Sequence, residues 1–398
     1  MTANPDTAAA ARSLLSAHAV RERSHEMLGA AMAGEVAEWR VDLARLEAAA
    51  HLTARVVRDA YPDLKAPFHA RWRHFAVEGR DLWAERNGGW RDPKDQARAA
   101  FDLAITSVLL DAGAGMGWRY RDAATGATLS RSEGLGVASF RLFESGALSA
   151  DPGDPLRADS LTGVTAQVLA NGFQVSADNP LVGLEGRASL LRALGAAVGR
   201  PGKLFDVMAG RAVGGKLPAP VILEVVLEAL GPIWPGRLAL GGVPLGDCWR
   251  HPAIKRDDAT DGYMPIHKLS QWLSYSLIEP LEAAGITVVD IDGLTGLAEY
   301  RNGGLFIDAG VLALRDAEDM ARAHPVEGAL VVGWRALTVA LLDRIAPMVR
   351  ERLGVSAEAF PLACVLEGGT WAAGRRIARS LRADGGPPLT IISDGTVF

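Results

Sequence analysis

The run GALVVGWRALTVALL, residues 328–342, constrains this chain more than any other stretch. It lies inside 326–353, whose pattern predicts one long helix, and every residue but Arg335 is apolar or small. It falls short of the roughly 18 uncharged apolar residues of a membrane span and carries a charge, so no span is expected. An arginine so surrounded needs a carboxylate or phosphate partner, because breaking a buried ion pair costs about 3–5 kcal/mol. The other reading buries only the stem of Arg335 and lets its head reach water.

Other segments share the helical period. In VDLARLEAAAHLTARVVRDAYP, Leu43, Leu46, Ala50, Val57 and Tyr61 recur at three- and four-residue intervals, and Pro62 and Pro67 then interrupt the pattern. DPKDQARAAFDLAITSVLLDAGAG reads as a helix with Asp92 as N-cap, Pro93 in its first turn and Gly113/Gly115 as its stop. EGRASLLRALGAAVG and PAPVILEVVLEALG each end on a glycine suited to a C-cap. HKLSQWLSYSLIEPLEAAG sets Leu273, Leu277 and Leu281 on one side, with Pro280 bending the last turns. Residues 121–186 are loop-rich; ITVVDIDG alternates like a short strand, and PLTIISDGTVF closes the chain as a small strand or extended tail. The expected class is mainly α with minor β, without a repeating βαβ pattern and without a dinucleotide or P-loop glycine signature. Residues 1–20 are expected to be a flexible N-terminus, and 21–398 a single catalytic unit or two packed lobes divided near 190–240.

A net charge of −5 argues against a general nucleic-acid binder. Two cysteines, Cys248 and Cys364, supply neither a disulfide framework nor a multi-cysteine zinc site, and no apolar signal core opens the chain. A cytoplasmic protein is expected, with no membrane or nucleic-acid partner and no cofactor or metal. GDCWRHP, 246–252, brings Asp247, Cys248 and His251 close together, with His267 as a distant fourth, but lacks the paired spacing of a structural zinc site.

The densest polar constellation is LTGLAEYRNGGLFIDAG, 294–310, where Glu299, Tyr300, Arg301 and Asn302 precede a glycine pair and Asp308. LLDAGAGMGWRYRD runs from Asp111 through glycines to Trp118, Arg119 and Tyr120, either a ligand wall or a helix end with core aromatics. Arg131 in SRSEGLG could hold a phosphate together with backbone N–H groups, though such loops are often solvated turns. MPIHKLSQW places His267, Lys268, Gln271 and Trp272 at a helix start, where anions bind well.

FDLAITSVLLDAGAGMGWRYRD, RSEGLGVASFRLF, DGYMPIHKLSQWLSYSLIEPL, LTGLAEYRNGGLFIDAGVL and the terminal SDGTVF together resemble the uracil-catabolism protein family of fungi and bacteria, over nearly the whole chain. That resemblance implies a small-molecule partner, a ribosylated intermediate of pyrimidine degradation such as a ribosylurea. More distantly, LTGLAEYRNGGLFIDAGVL and GWRALTVALLDRI are similar to segments of queuosine-nucleotide N-glycosylases, which implies a helical fold related to DNA glycosylases and hydrolysis of an N-ribosyl bond. Glu299 stands where that second family has aspartate, one methylene longer.

Read together, the resemblances imply cleavage of ribosylurea, as its 5-phosphate, to urea and ribose phosphate. Glu299 would face the ribose, Tyr300 would pack or donate a hydroxyl, Arg301 would keep Glu299 ionised, and Asn302 would bind a sugar hydroxyl or the urea amide. Trp118 and Trp272 would wall the site, Arg119, Arg131 and Lys268 compete for the phosphate, and Asp308, Asp111 and His267 are the candidate acids. The opposing expectations are a non-catalytic binding or scaffolding protein of the same pathway, and an amidohydrolase acting on the opened pyrimidine.

Overall fold

A computed structural model describes residues 5–111, 113–115, 117–234 and 236–392. The terminal SDGTVF segment, and Ala112 and Met116 within the 109–122 segment, lie outside the described residues. The chain is mainly helical, with strands of two or three residues joined only in pairs among the described residues. It divides into two compact units, one formed by residues 5–69, 236–271 and 290–392, the other by 70–234 and 272–289.

The first unit is organised by the helix Ala329–Leu353, whose apolar side chains are buried over most of its length. The helices Ala17–Met32, Leu46–Ala60 and Tyr300–Asp308 pack on it. Trp39 sits in a short strand that pairs antiparallel with Leu312–Leu314, and its Nε1 donates to the Leu330 carbonyl at 2.8 Å. Arg335 has 1% of its surface exposed, so its head does not reach water, and it donates from both terminal nitrogens to Asp247 at 2.8 Å each. The partner demanded by its burial is therefore a carboxylate.

The glycine pair after Glu299 has a packing explanation. A Cβ on Gly303 would lie 2.7 Å from Trp334 Cε2 and 2.9 Å from Thr338 Oγ1, and Trp334 Nε1 donates to the Gly303 carbonyl at 3.1 Å. Gly304 lies against Pro388, and Gly374 in the helix Trp371–Leu381 lies against the Arg301 carbonyl oxygen. These small residues let three helices approach around Arg301–Asp308. Overpacking a filled core costs about 1–3 kcal/mol, and Gly303→Ala is expected to lower unfolding stability by that amount in denaturant titration.

In the second unit, Pro93–Leu109 starts at Asp92, whose carboxylate accepts the Lys94 N–H at 2.9 Å, as its sequence implies. This helix ends at Leu109, before the glycines that the sequence suggested as its stop. The helices Arg131–Glu144, Leu184–Val198, Lys203–Arg211 and Ala219–Leu230 complete the unit's frame. Thr287–Val289, the strand expected in ITVVDIDG, pairs in parallel with Lys216–Pro218. Buried Asp102 accepts from Arg200 Nε at 2.7 Å and from the Gly202 N–H at 2.6 Å.

Candidate functional site

The loop before Glu299 is tied down by ion pairs and carbonyl bonds. Arg21 donates to the Asp292 and Leu294 carbonyls at 2.9 and 2.8 Å while pairing with Asp343 at 2.9 Å. Arg350 holds the Asp292 carboxylate at 2.6 Å, and Thr295 N–H donates to Gln271 Oε1 at 3.3 Å. Glu299 leaves this loop in an extended conformation and caps the helix Tyr300–Asp308, accepting the Arg301 N–H at 2.7 Å and the Asn302 N–H at 2.5 Å. Only 7% of it is exposed. Burial pushes its carboxyl above the usual range, while the two N–H bonds and the nearby Lys268 and His69 pull the other way.

Capping uses one lone pair of each oxygen, and a carboxylate has about four such sites, so Glu299 keeps acceptor capacity. Beside it, Asn302 is fully buried; Nδ2 donates to the Leu297 carbonyl at 3.1 Å, and Oδ1 has no partner among the described residues. Fully buried Gln271 likewise has a partnered Oε1 and an unpartnered Nε2. Unsatisfied buried amides are uncommon and call for a ligand, a water or a role.

The expectation that the Arg301 side chain holds Glu299 ionised does not match its contacts. Its guanidinium donates to the Gly385 carbonyl at 2.7 Å and stacks on Tyr300 at 4.8 Å, so its backbone N–H, not its charge, serves Glu299. Asp308 is engaged through both carboxylate oxygens by Arg382 at 2.8 and 2.6 Å, so it serves a structural ion pair. His267 is fully buried with Nε2 against the Leu14 carbonyl at 3.0 Å, and burial pushes its pKa down, toward the neutral form. Arg335 acts at one remove. It fixes Asp247, which accepts the Lys268 N–H at 2.9 Å and the Trp249 indole N–H at 2.6 Å, so it sets the start of the Lys268–Ala283 helix. That arrangement also accounts for the GDCWRHP segment: Asp247 is committed to Arg335, Cys248 is a fully buried thiol whose pKa burial raises, and His251 Nδ1 accepts the Ala253 N–H at 3.1 Å.

The remaining candidates belong to the second unit. Asp111 accepts from Arg71 at 2.8 Å and from Ser132 at 3.1 Å. Trp118 is fully buried, donates to the Phe173 carbonyl at 3.0 Å and packs on Tyr120 and Phe173, so it is a core aromatic with no free face. Arg119 donates to the Trp118 carbonyl at 2.7 Å, and Arg131 opens the helix Arg131–Glu144 with φ of 55°. Trp272 lies over the Arg71 guanidinium at 5.5 Å.

A neighbour of Glu299, His69, and its partner Glu367 escaped the sequence reading. His69 is 6% exposed, its N–H donates to the Ala363 carbonyl at 3.0 Å, and its Nδ1 meets Glu367 Oε2 at 2.5 Å. Glu367 sits in a single π-helical turn, Leu366–Thr370, and such turns recur at functional sites. The available signal was a lone histidine in APFHARW and a carboxylate before a glycine pair in VLEGGTW, the arrangement that singled out Glu299.

A mainly helical protein with an enclosed carboxylate, a histidine–carboxylate pair and unsatisfied amides beside it is thus the class defined by fold and site. The family model described as "Protein of unknown function (DUF1688)" matches residues 13–398, and the chain belongs to that family. It is 38% identical to "Protein urg3" of Schizosaccharomyces pombe, over 97% of this chain and 98% of that protein. To "Uracil catabolism protein 4" of Lachancea kluyveri it is 37% identical, over 92% of this chain and 93% of the relative. No helix of the described residues is long and apolar enough to cross a membrane.

Proposed function

We propose that this protein acts in uracil catabolism as an N-ribosyl hydrolase, cleaving ribosylurea, as its 5-phosphate, to urea and ribose phosphate. The pathway rests on the relative named for uracil catabolism. The reaction rests on one observation above all: Glu299 is a buried carboxylate rigidly held by two backbone N–H groups, with Lys268 and His69 nearby. The similarity of its segment to N-glycosylases points the same way.

Breaking an N-ribosyl bond builds positive charge on the anomeric carbon and ring oxygen. A preorganised carboxylate in a water-poor site stabilises that charge without reorganising. The same group can take a proton from the attacking water. In this reading Asn302 and Gln271 offer their spare amide atoms to sugar or urea, and Lys268 binds the substrate.

A second reading keeps one specific observation in its favour. Both Glu299 oxygens already cap a helix, as in a purely structural role, which suits a non-catalytic ligand-binding protein of the same pathway. Incubation of purified protein with ribosylurea and with its 5-phosphate, scored by release of urea and sugar, separates the two. Stoichiometric release of both products is expected; intact substrate in the presence of folded protein contradicts the hydrolase.

A further inference from the structure

We infer that His69 donates the proton to the departing urea nitrogen and that Glu367 is its positioning partner. This rests on the N-ribosyl hydrolase reading and deepens it. Urea is a poor anionic leaving group, so departure needs a proton delivered to nitrogen as the bond stretches. Neither Asp308, ion-paired to Arg382, nor His267, buried against the Leu14 carbonyl, is placed to supply it.

His69 is. Its backbone N–H is anchored on the Ala363 carbonyl, and its ring is held by Glu367 at 2.5 Å on Nδ1 and lies beside the Trp371 ring, with centroids 6.1 Å apart. A carboxylate bonded to one ring nitrogen fixes the tautomer and orients the ring for proton transfer through the other. Glu367 reaches this position because the helix is locally widened at Leu366–Thr370. There Gly368 lies close against Ala66 and Tyr61, and a Cβ on Gly369 would lie 2.8 Å from Thr53 Cγ2, too close without a shift. The widened turn packs against the Tyr300–Asp308 helix that Glu299 caps, which brings carboxylate and dyad to one place in one unit. The influence of His69 on the Glu299 carboxyl agrees with that proximity. Thr370 Oγ1, fully buried in the same turn, has no partner among the described residues.

The step balances. The C1′–N bond breaks with its electron pair passing to the urea nitrogen, which takes the Nε2 proton of His69. Water adds its oxygen to C1′, and Glu299 accepts one of its protons. That proton leaves to solvent as His69 takes one back, restoring both groups.

The test compares two substrates with the same sugar phosphate, ribosylurea 5-phosphate and a 4-nitrophenyl riboside 5-phosphate whose leaving group needs no proton. Loss of a general acid should slow the first by about 10²–10⁴-fold and leave the second nearly unchanged. His69→Asn is expected to show that split, and Glu367→Gln a smaller split of the same kind. His69→Gln, which retains an amide toward Glu367, serves should the asparagine variant fail to fold. Equal losses on both substrates, or undiminished urea release, would overturn the assignment while leaving the hydrolase reading intact. Wild-type protein that frees nitrophenol but no urea, or neither, would instead refute the ribosylurea reading and the acid with it.

Discussion

Glu299→Gln should bind ribosylurea about as well as the wild type and lose about 10²–10³-fold or more in turnover, the range seen when one preorganised electrostatic contact to a transition state is removed. The change takes away the charge and little else. Of the two backbone N–H groups that Glu299 accepts, one keeps an oxygen acceptor and the other meets an amide NH₂. A lost N-cap bond costs about 0.5–2 kcal/mol, so some destabilisation is expected near neutral pH. Removal of a carboxylate that burial disfavours works in the opposite direction. The pH dependence separates these contributions. Because the folded-state pKa of Glu299 is raised, its contribution to stability is fullest below its ordinary range and falls as pH rises through the raised value. The stability gap between wild type and variant should therefore shrink as pH rises through that window. A turnover loss with a modest, pH-dependent stability change identifies an electrostatic role; unchanged turnover would leave Glu299 as a helix cap only.

Arg335→Met has the largest expected effect on the fold. It strands Asp247 in the interior without its countercharge, and breaking a buried pair from one side costs about 3–5 kcal/mol. Burial alone would push the Asp247 carboxyl up, and the Arg335 guanidinium with its two bonds more than reverses this, holding it well below the usual carboxylate range. In the wild type, then, this group's contribution is present above its ordinary titration range near 4 and is lost on further acidification. In Arg335→Met the sign inverts: burial dominates, the carboxyl titrates higher than normal, and mild acid should stabilise the variant relative to neutral pH. Denaturant unfolding across the acid range reads both slopes. The paired change Arg335→Met with Asp247→Leu should recover part of the loss, short of all of it, because Asp247 also accepts from Lys268 and Trp249. An Arg335→Met protein as stable as wild type would mean that Asp247 finds other compensation.

The fold class was legible because it is written in local periods. The 329–353 helix, the Asp92 cap and the Thr287–Val289 strand follow from apolar spacing and turn chemistry that neighbours do not override. Arg335 also announced itself, since a charge amid apolar residues demands a partner, but the identity of that partner came from 88 positions away. The glycine pair after Glu299 had no assigned role in the sequence and proved to be a contact surface for Trp334 and Pro388, which depends on tertiary neighbours. Trp118 kept two readings open for the same reason: an aromatic beside glycines has the same local signature whether it walls a pocket or fills a core, and here it is fully buried. His69 and Glu367, separated by 298 positions, carry no local pattern that links them; only the widened turn brings them together.

The most direct measurement is a crystal structure of Glu299→Gln holding uncleaved ribosylurea 5-phosphate. It should place the anomeric carbon within about 3–3.5 Å of the carboxamide at position 299, the separation of a near-attack arrangement. An ordered ligand whose anomeric carbon lies far from that side chain, or one seated among Asp111, Trp118 and Arg131 instead, would contradict the central claim.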